Sequence, residues 1–449
     1  LEDFLDTEDE KDNVTKILAD VKEATGMSPR LETDAEKFDA AVSEQITKKY
    51  NIPQEKAAHL VEVARRRANR KADRDTYQAM EGFVHNLNTM HSRAGAQTPF
   101  SSINYGTDTT PEGRMVIRNI LLATDAGLGH GETCIFPIHV FKVKEGVNYN
   151  EGDPNYDLFK LSCKVSAKRL FPNYIFLDAP FNLQYYKPGR PETEVATMGC
   201  RTRVMGNVYD PSREISYGRG NLSFTSINLP RLAIEANHDE KVFYQKLDEM
   251  LDLVANQLLD RFEIQASKRV YNYPFLMGQG VWLDSEKLGP NDEISEVLKH
   301  GTLTIGFIGL AETLTALIGQ HHGQSEYAQN LGLEIIGHMR ARMDAESEKR
   351  KLNFSLIATP AEGLSGRFVK IDRERFGVIP GVTDRDYFTN SFHIPVYFDI
   401  NAFDKIRLEA PYHALTNGGH ITYVELDGDP LQNVDAFEQL IRCMKEDKL

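Results

Sequence analysis

One cysteine stands in a setting suited to chemistry. Cys200 lies in Ala196-Thr197-Met198-Gly199-Cys200-Arg201-Thr202-Arg203. Glycine before the thiol permits a tight turn that presents the sulfur, and an arginine follows. Gly218-Arg219-Gly220-Asn221 then leads into the β-branched stretch Ser223–Leu229. The pattern predicts a loop carrying one reactive sulfur. Equally, a free cysteine can be a small buried hydrophobe, and the residues alone leave that open. A second stretch, Thr359-Pro360-Ala361-Glu362-Gly363, closes a predicted strand and can open a helix. Free N–H groups and the helix dipole there would suit an anion; a plain strand–helix turn is the alternative.

Other stretches are weaker. Gly127-Leu128-Gly129-His130-Gly131 lacks a following Lys-Ser or Lys-Thr and reads as a turn. His321-His322 are adjacent, a poor spacing for metal ligands, and no metal site is expected. Neither HExxH nor GxSxG occurs. The runs Ile379–Asp384 and Thr416–His420 are turn-rich and could bring backbone close to a ligand.

These residues need a large scaffold. The chain has 449 residues, 41% of them hydrophobic, enough for a substantial core. Its formal charge of -14 argues against duplex nucleic acid as a partner. Cys134, Cys163, Cys200 and Cys443 form no CxxC pair, which suggests a reducing, cytoplasmic setting. The acidic start has no apolar signal core and no initiator methionine, so the chain reads as a fragment. Thr302–Gly319, the most membrane-like stretch, contains Glu312 and reads as a buried strand entering a helix.

Residues 1–30 are polar and expected to be loose at the start. Thr33–His91 has helical periodicity, broken at Asn51-Ile52-Pro53, with Gln78–Met90 as a further helix. Arg65-Arg66-Arg67 and Arg70-Lys71 form a basic stripe, either a solvated face or an anion contact. Strands are predicted at 98–105, 134–143, 174–177, 223–229, 303–308, 353–358, 393–398 and 421–426. Helices are predicted at 111–126, 154–170, 239–265, 326–349 and 434–445, with a helical turn at 402–405. Such alternation argues for a largely parallel sheet, open or closed into a barrel.

Taken in order, several segments resemble the anaerobic (class III) ribonucleoside-triphosphate reductases, a glycyl radical enzyme family. They include Gly95–Phe100, Gly152–Asp157, Met198–Thr202, Gly218–Asn221 with Ser226–Arg231, Ser355–Phe368, Pro380–Asp384, Tyr387–His393 and Ala410–Gly419. The resemblance implies an α/β fold: a ten-stranded β/α barrel of the pyruvate formate-lyase type, with a central finger loop near 195–205 and helices N-terminal to it. It implies residues 1–92 as a helical dimer and effector segment, 93–430 as the catalytic barrel, and 431–449 as the start of a C-terminal region. Cys200 matches the cysteine that becomes a thiyl radical and takes the 3′-hydrogen of a ribonucleotide. Met198 matches the formate-using branch, and Asn221 an asparagine near sugar and formate. Thr202 stands where the family often has serine. Thr359, Pro360, Ala361, Glu362 and Gly363 match the substrate-phosphate loop.

The implied partners are nucleoside triphosphates, formate, dNTP or ATP effectors, a radical SAM activating enzyme and a second copy of the chain. The family's radical glycine, in an Arg-Val-x-Gly-Tyr-like segment after a four-cysteine zinc site, has no counterpart in the 449 residues. Glycine and zinc are therefore expected beyond Leu449, the second active-site cysteine has no clear match, and this segment alone should not turn over. Two alternatives stand beside this reading: a pyruvate formate-lyase-like acyl transferase or eliminase, and an inactive nucleotide-binding core.

Overall fold

Three helices open the computed structural model, which describes residues 8–27, 35–92 and 95–449; Glu362 is described by its backbone only. They are α1 (Glu8–Thr25), α2 (Ala35–Tyr50) and α3 (Gln54–Thr89). The polar start thus carries a helix from Glu8, whereas Thr33, the predicted helix start, lies outside the described residues. Ile17 and Val21 of α1 pack on Phe38, Val42 and Ile46 of α2 and on Ala57 and Val61 of α3, all buried. The break at Asn51–Pro53 is real, but α3 continues without interruption through Gln78. Part of the basic stripe is paired: Arg65 forks onto Asp39, and Arg66 reaches Glu62 one turn back.

The chain divides into two compact units, one of residues 1–100, 105–137 and 145–172, the other of 101–104, 138–144 and 173–449. The first adds α4 (Pro111–Ala126) and α5 (Tyr156–Arg169) to the opening helices. Thr110 caps α4 by accepting from the Gly113 N–H, Pro111 takes the first turn, and Gly127 at φ 78° ends it. The glycine cluster that follows is a turn closed by Leu128 N–H to Glu132 O at 2.9 Å.

The second unit holds the strands. β1 (Ser102–Tyr105), β2 (Ile138–Val143) and β3 (Asn173–Phe176) form one sheet in that order, with β2 and β3 parallel. After the one-turn helix α6 (Pro180–Leu183) come β4 (Thr197–Met198) and β5 (Thr202–Arg203), an antiparallel hairpin. β6 (Asn221–Asn228), β7 (Thr302–Ile308) and β8 (Asn353–Ala358) form a second three-stranded sheet, parallel throughout. Between these strands run α7 (Leu229–Ala236), α8 (Glu240–Ala266), the short α9 (Ser295–Leu298), α10 (Leu310–Ile318) and α11 (Glu326–Arg350). After β8 follow α12 (Glu362–Phe376), α13 (Ala402–Leu415) and α14 (Val434–Glu446).

Each strand of the second sheet has two unlike faces, because side chains alternate along a strand. Leu303, Ile305 and Phe307 with Phe354, Leu356 and Ala358 share one core with Phe243, Leu247, Leu251 and Leu258 of α8. Each such fully buried side chain contributes roughly 1.5–3 kcal/mol. The other face carries Thr302, Thr304 and Gly306 on β7 and Asn353 and Ser355 on β8, continuing to Thr359, and these polar residues are buried too. Thr302–Gly319 is accordingly a buried strand and a helix, and among the described residues no helix is long and apolar enough to cross a membrane.

The mixed α/β class and the strand–helix order agree with the sequence reading. Among the described residues there are eight strands in three sheets, not ten in one ring. Two predicted strands are absent. At 393–398 the Ile394 N–H is taken by the Glu409 carboxylate at 2.9 Å, so it cannot join a ladder, and Pro395 has no N–H to give. Residues 421–426 are assigned to no strand; the bridge falls just before them, at Gly419. The helical turn predicted at 402–405 is a helix of 14 residues that continues through Pro411.

Candidate active site

The hairpin is held from both sides. Asn104 brackets Thr197, donating to its carbonyl at 2.8 Å and accepting from its N–H at 3.0 Å. The Gly199 N–H donates to Ser102 Oγ at 2.9 Å. Opposite, Arg203 N–H donates to Gly418 O at 3.0 Å, and Gly419 O accepts from Ala358 N–H at 2.9 Å. Gly419 thus bridges Thr202 of β5 and Ile357 of β8, a one-residue link between hairpin and sheet.

Gly199, Cys200 and Arg201 form the tip, with Gly199 at φ 62°, the left-handed region that glycine enters without penalty. Cys200 is half-buried, whereas the other three thiols are buried. Burial pushes the Cys134 and Cys443 thiols up, Cys443 to about 11, which makes them poor nucleophiles. Arg201 is 3% exposed and is bonded three ways. Its Nε lies 3.5 Å from Cys200 Sγ, Nη1 donates to Ala358 O at 3.2 Å, and Nη2 donates to the Tyr423 hydroxyl at 2.9 Å. One side chain therefore joins the thiol to the residue immediately before Thr359.

The predicted site residues fall as follows. Met198 and Thr202 are register partners below the tip, Met198 being 37% exposed. Asn221 opens β6, and its amide donates to Thr304 Oγ1, which is 2.8 Å from Ser355 Oγ. Asn221 therefore belongs to the polar face, toward the N-terminal ends of the strands, while Arg201 reaches the C-terminal end of β8. Thr359 is fully buried with its hydroxyl 2.9 Å from Ser226 Oγ. Pro360 and Ala361 follow, and α12 begins at Glu362 and Gly363 after Ala361, which supplies no side-chain cap.

Sequence reasoning missed Arg201, Tyr423, Thr304 and Ser355. The alternation in Thr302-Leu303-Thr304-Ile305-Gly306-Phe307 was the available signal for the last two. It also missed two buried carboxylates. Glu409 binds His393 Nδ1 at 3.1 Å; burial opposes its ionisation, but His393 and Lys405 hold it below its ordinary value. Glu312 of α10 accepts from the N–H and Oγ1 of Thr389, at 3.0 and 2.7 Å, and fixes the 389–391 loop. Burial raises the Glu312 carboxyl above its ordinary 4.5, against those hydrogen bonds. The folded state therefore keeps a proton that the unfolded chain releases. This contribution to stability is complete below pH 4.5 and is lost as pH rises through the raised value. Glu312→Gln should flatten that decline, giving a urea midpoint at pH 7 equal to or above that of the parent. A lower midpoint at pH 7 would show that the ionised carboxylate is what the fold uses.

Comparison with known proteins places this geometry in context. The family model for anaerobic ribonucleoside-triphosphate reductase matches residues 28–449. The anaerobic ribonucleoside-triphosphate reductase of Escherichia coli K12 is 35% identical over 398 residues, which is 88% of this chain and 54% of that protein. The protein of the same name from Enterobacteria phage T4 is 36% identical over 378 residues, 83% of this chain and 59% of that one. The chain thus spans little more than half the length of these relatives. Among solved structures, the Thermotoga maritima anaerobic ribonucleotide reductase with citrate in the active site superposes with a TM-score of 0.60. That match has 15% identity and covers 97% of this chain and 73% of the other. A structure of the same enzyme with dATP in the specificity site gives 0.58 at 15% identity, covering 96% of this chain and 68% of the other. At such identity the likeness concerns the fold.

Proposed function

The chain belongs to the anaerobic ribonucleoside-triphosphate reductase family, and on that premise we propose that it forms the catalytic core of an enzyme reducing ribonucleoside triphosphates with formate. The observation that carries the proposal is Arg201, whose contacts set the Cys200 sulfur beside the strand end leading to Thr359. Radical chemistry on a bound sugar needs a fixed, short reach from sulfur to carbon.

One-electron oxidising power is what a glycyl radical, carried outside these residues, supplies. Cys200 gives up its hydrogen atom and, as a thiyl, takes the ribose 3′-hydrogen. Loss of the 2′-hydroxyl as water consumes one proton. Formate supplies the two electrons and leaves as CO2, so NTP, formate and a proton become dNTP, CO2 and water. Asn221 orients sugar and formate, Thr202 offers a hydroxyl on the same hairpin, and Met198 lines the approach. Thr359, Pro360, Ala361, Glu362 and Gly363 receive the triphosphate, the N–H groups of all but Pro360 and the α12 dipole favouring anions. Ala358 O is engaged by Arg201, so thiol and phosphate loop move as one piece.

The same reading assigns residues 93–430 to a ten-stranded barrel closed with further strands, with the β4–β5 hairpin as its finger, and residues 431–449 to the approach to a zinc-bearing C-terminal region. Residues 1–92 supply a homodimer contact and a site for dNTP or ATP effectors; the boundary at 92/93 adjoins Arg93 and Ala94, which lie outside the described residues. A radical SAM enzyme installs the radical. The test is direct: full-length protein, activated without oxygen, should convert NTP to dNTP and release one 13CO2 from 13C-formate per turnover. Failure of any NTP to be reduced under those conditions would overturn the reading.

A further inference from the structure

Behind the hairpin, at the N-terminal end of the polar face, lies a second cavity of about 460 Å³, lined by Arg203, Thr302, Asn353, Ser355, Arg340 and His413 among others. Two buried polar atoms of lining residues, Arg203 Nε and Thr302 Oγ1, have no hydrogen-bond partner among the described residues. Their residues are 5% and 4% exposed. Arg203 is otherwise held by neutral groups: Nη2 donates to Asn182 Oδ1, and Nη1 lies 3.5 Å from His420 Nε2. Burial, with His413 and Arg203 beside it, holds His420 well below its ordinary value, so that ring is uncharged.

A buried guanidinium without a counter-ion is costly. The other cations of the lining are paired: Arg340 with Asp344 at 2.9 Å and Lys351 with Glu348 at 3.0 Å. Among the described residues Arg203 is the cation of the lining with no ion-pair partner, and its Nε and the Thr302 hydroxyl belong to residues that line the same cavity. That set fits a small monoanion, and a carboxylate offers the two oxygens it needs. A doubly charged phosphate would meet one uncompensated cation and three nearby carboxylates. Ser355 in the cavity wall is hydrogen-bonded at 2.8 Å to Thr304 Oγ1, which accepts from Asn221, so the wall is tied to the polar face behind it.

We propose that this cavity binds a small carboxylate monoanion on Arg203 and Thr302, at the end of the strands opposite the nucleotide loop. Naming that anion as the reductant rests on the function proposed above; its binding does not. The two co-substrates then bind at opposite ends of the strands.

The probe is 13C-formate, titrated by NMR into this chain, and its KM measured in the activated full-length enzyme. Arg203→Gln should weaken formate binding by about tenfold or more. Thr302→Val, which keeps shape and removes the hydroxyl, should weaken it about three- to tenfold. The KM for formate should rise in parallel while the KM for nucleotide stays unchanged, and excess inorganic phosphate should not displace formate. Should Arg203→Gln fail to fold, Thr302→Val and Arg203→Lys decide the matter. Formate binding unchanged in folded variants would overturn the proposal, as would efficient displacement by phosphate. Arg203-dependent binding without any NTP reduction would sink the reductase reading and leave the cavity standing. Reduction with an unaltered formate KM in Thr302→Val would do the reverse.

Discussion

Cys200→Ala should abolish NTP reduction by the activated full-length enzyme, lowering turnover by more than about 10⁴-fold, while nucleotide binding stays within about twofold. No other described thiol can substitute. Cys134, Cys163 and Cys443 are buried, and Cys443 is committed to Asp447 at 3.2 Å. The half-buried position of Cys200 means that its loss removes few packing contacts, so stability should change by less than about 1 kcal/mol. The readouts are dNTP formation, NTP binding by calorimetry and urea unfolding. Residual dNTP formation above about 1% of the parent would remove Cys200 from the reaction. A collapse in stability would show that the residue is core rather than catalyst.

Gly419→Ala should be a severely damaging addition of a single methyl. Gly419 has φ 141°, a conformation that L side chains rarely adopt, and its new Cβ would lie 2.3 Å from the Arg201 carbonyl oxygen and 2.9 Å from its carbonyl carbon. These are backbone atoms, so relief requires the hairpin to move. A stability loss of about 2–4 kcal/mol is expected, together with loss of reduction, because Arg201 orients the thiol. Gly337→Ala is the matched control. A Cβ there meets nothing within 4 Å inside α11, and helix propensity predicts a gain of roughly 0.5–1 kcal/mol. Equal urea midpoints and equal activity for Gly419→Ala and the parent would dismiss the bridge as the anchor of the site.

Much of this was legible in the sequence, and the limits have physical causes. The long α8 stripe announced itself through Phe243, Leu247, Leu251 and Leu258, because one face meets one core. Local turn chemistry, as at Thr110-Pro111 and Gly127, marked the ends of α4 correctly. The failures came where a distant side chain decided a local structure. Nothing near Ile394 says that Glu409 will claim its N–H. Only a helical turn was expected at 402–405, yet α13 runs on through Pro411, with Tyr412 buried on the core beyond. At the site, Cys200 and Thr359 were visible as types in suitable contexts. Their proximity was not, since the hydrogen bond that draws their neighbours together, Arg201 to Ala358, spans 157 positions.

The one-residue bridge at Gly419 has a further consequence. Hairpin amides are secured by Ser102 and Asn104 of one sheet and by Gly418 and Gly419 against the other. Neither sheet can open locally without unseating the tip. The amides of Thr197, Gly199, Arg203 and Ala358 should therefore exchange with deuterium at a common slow rate, that of cooperative unfolding. A partly folded chain would hold its sulfur out of place. The arrangement works as an interlock: the sulfur that the proposed chemistry uses is aligned only after the strands on both sides have closed on it.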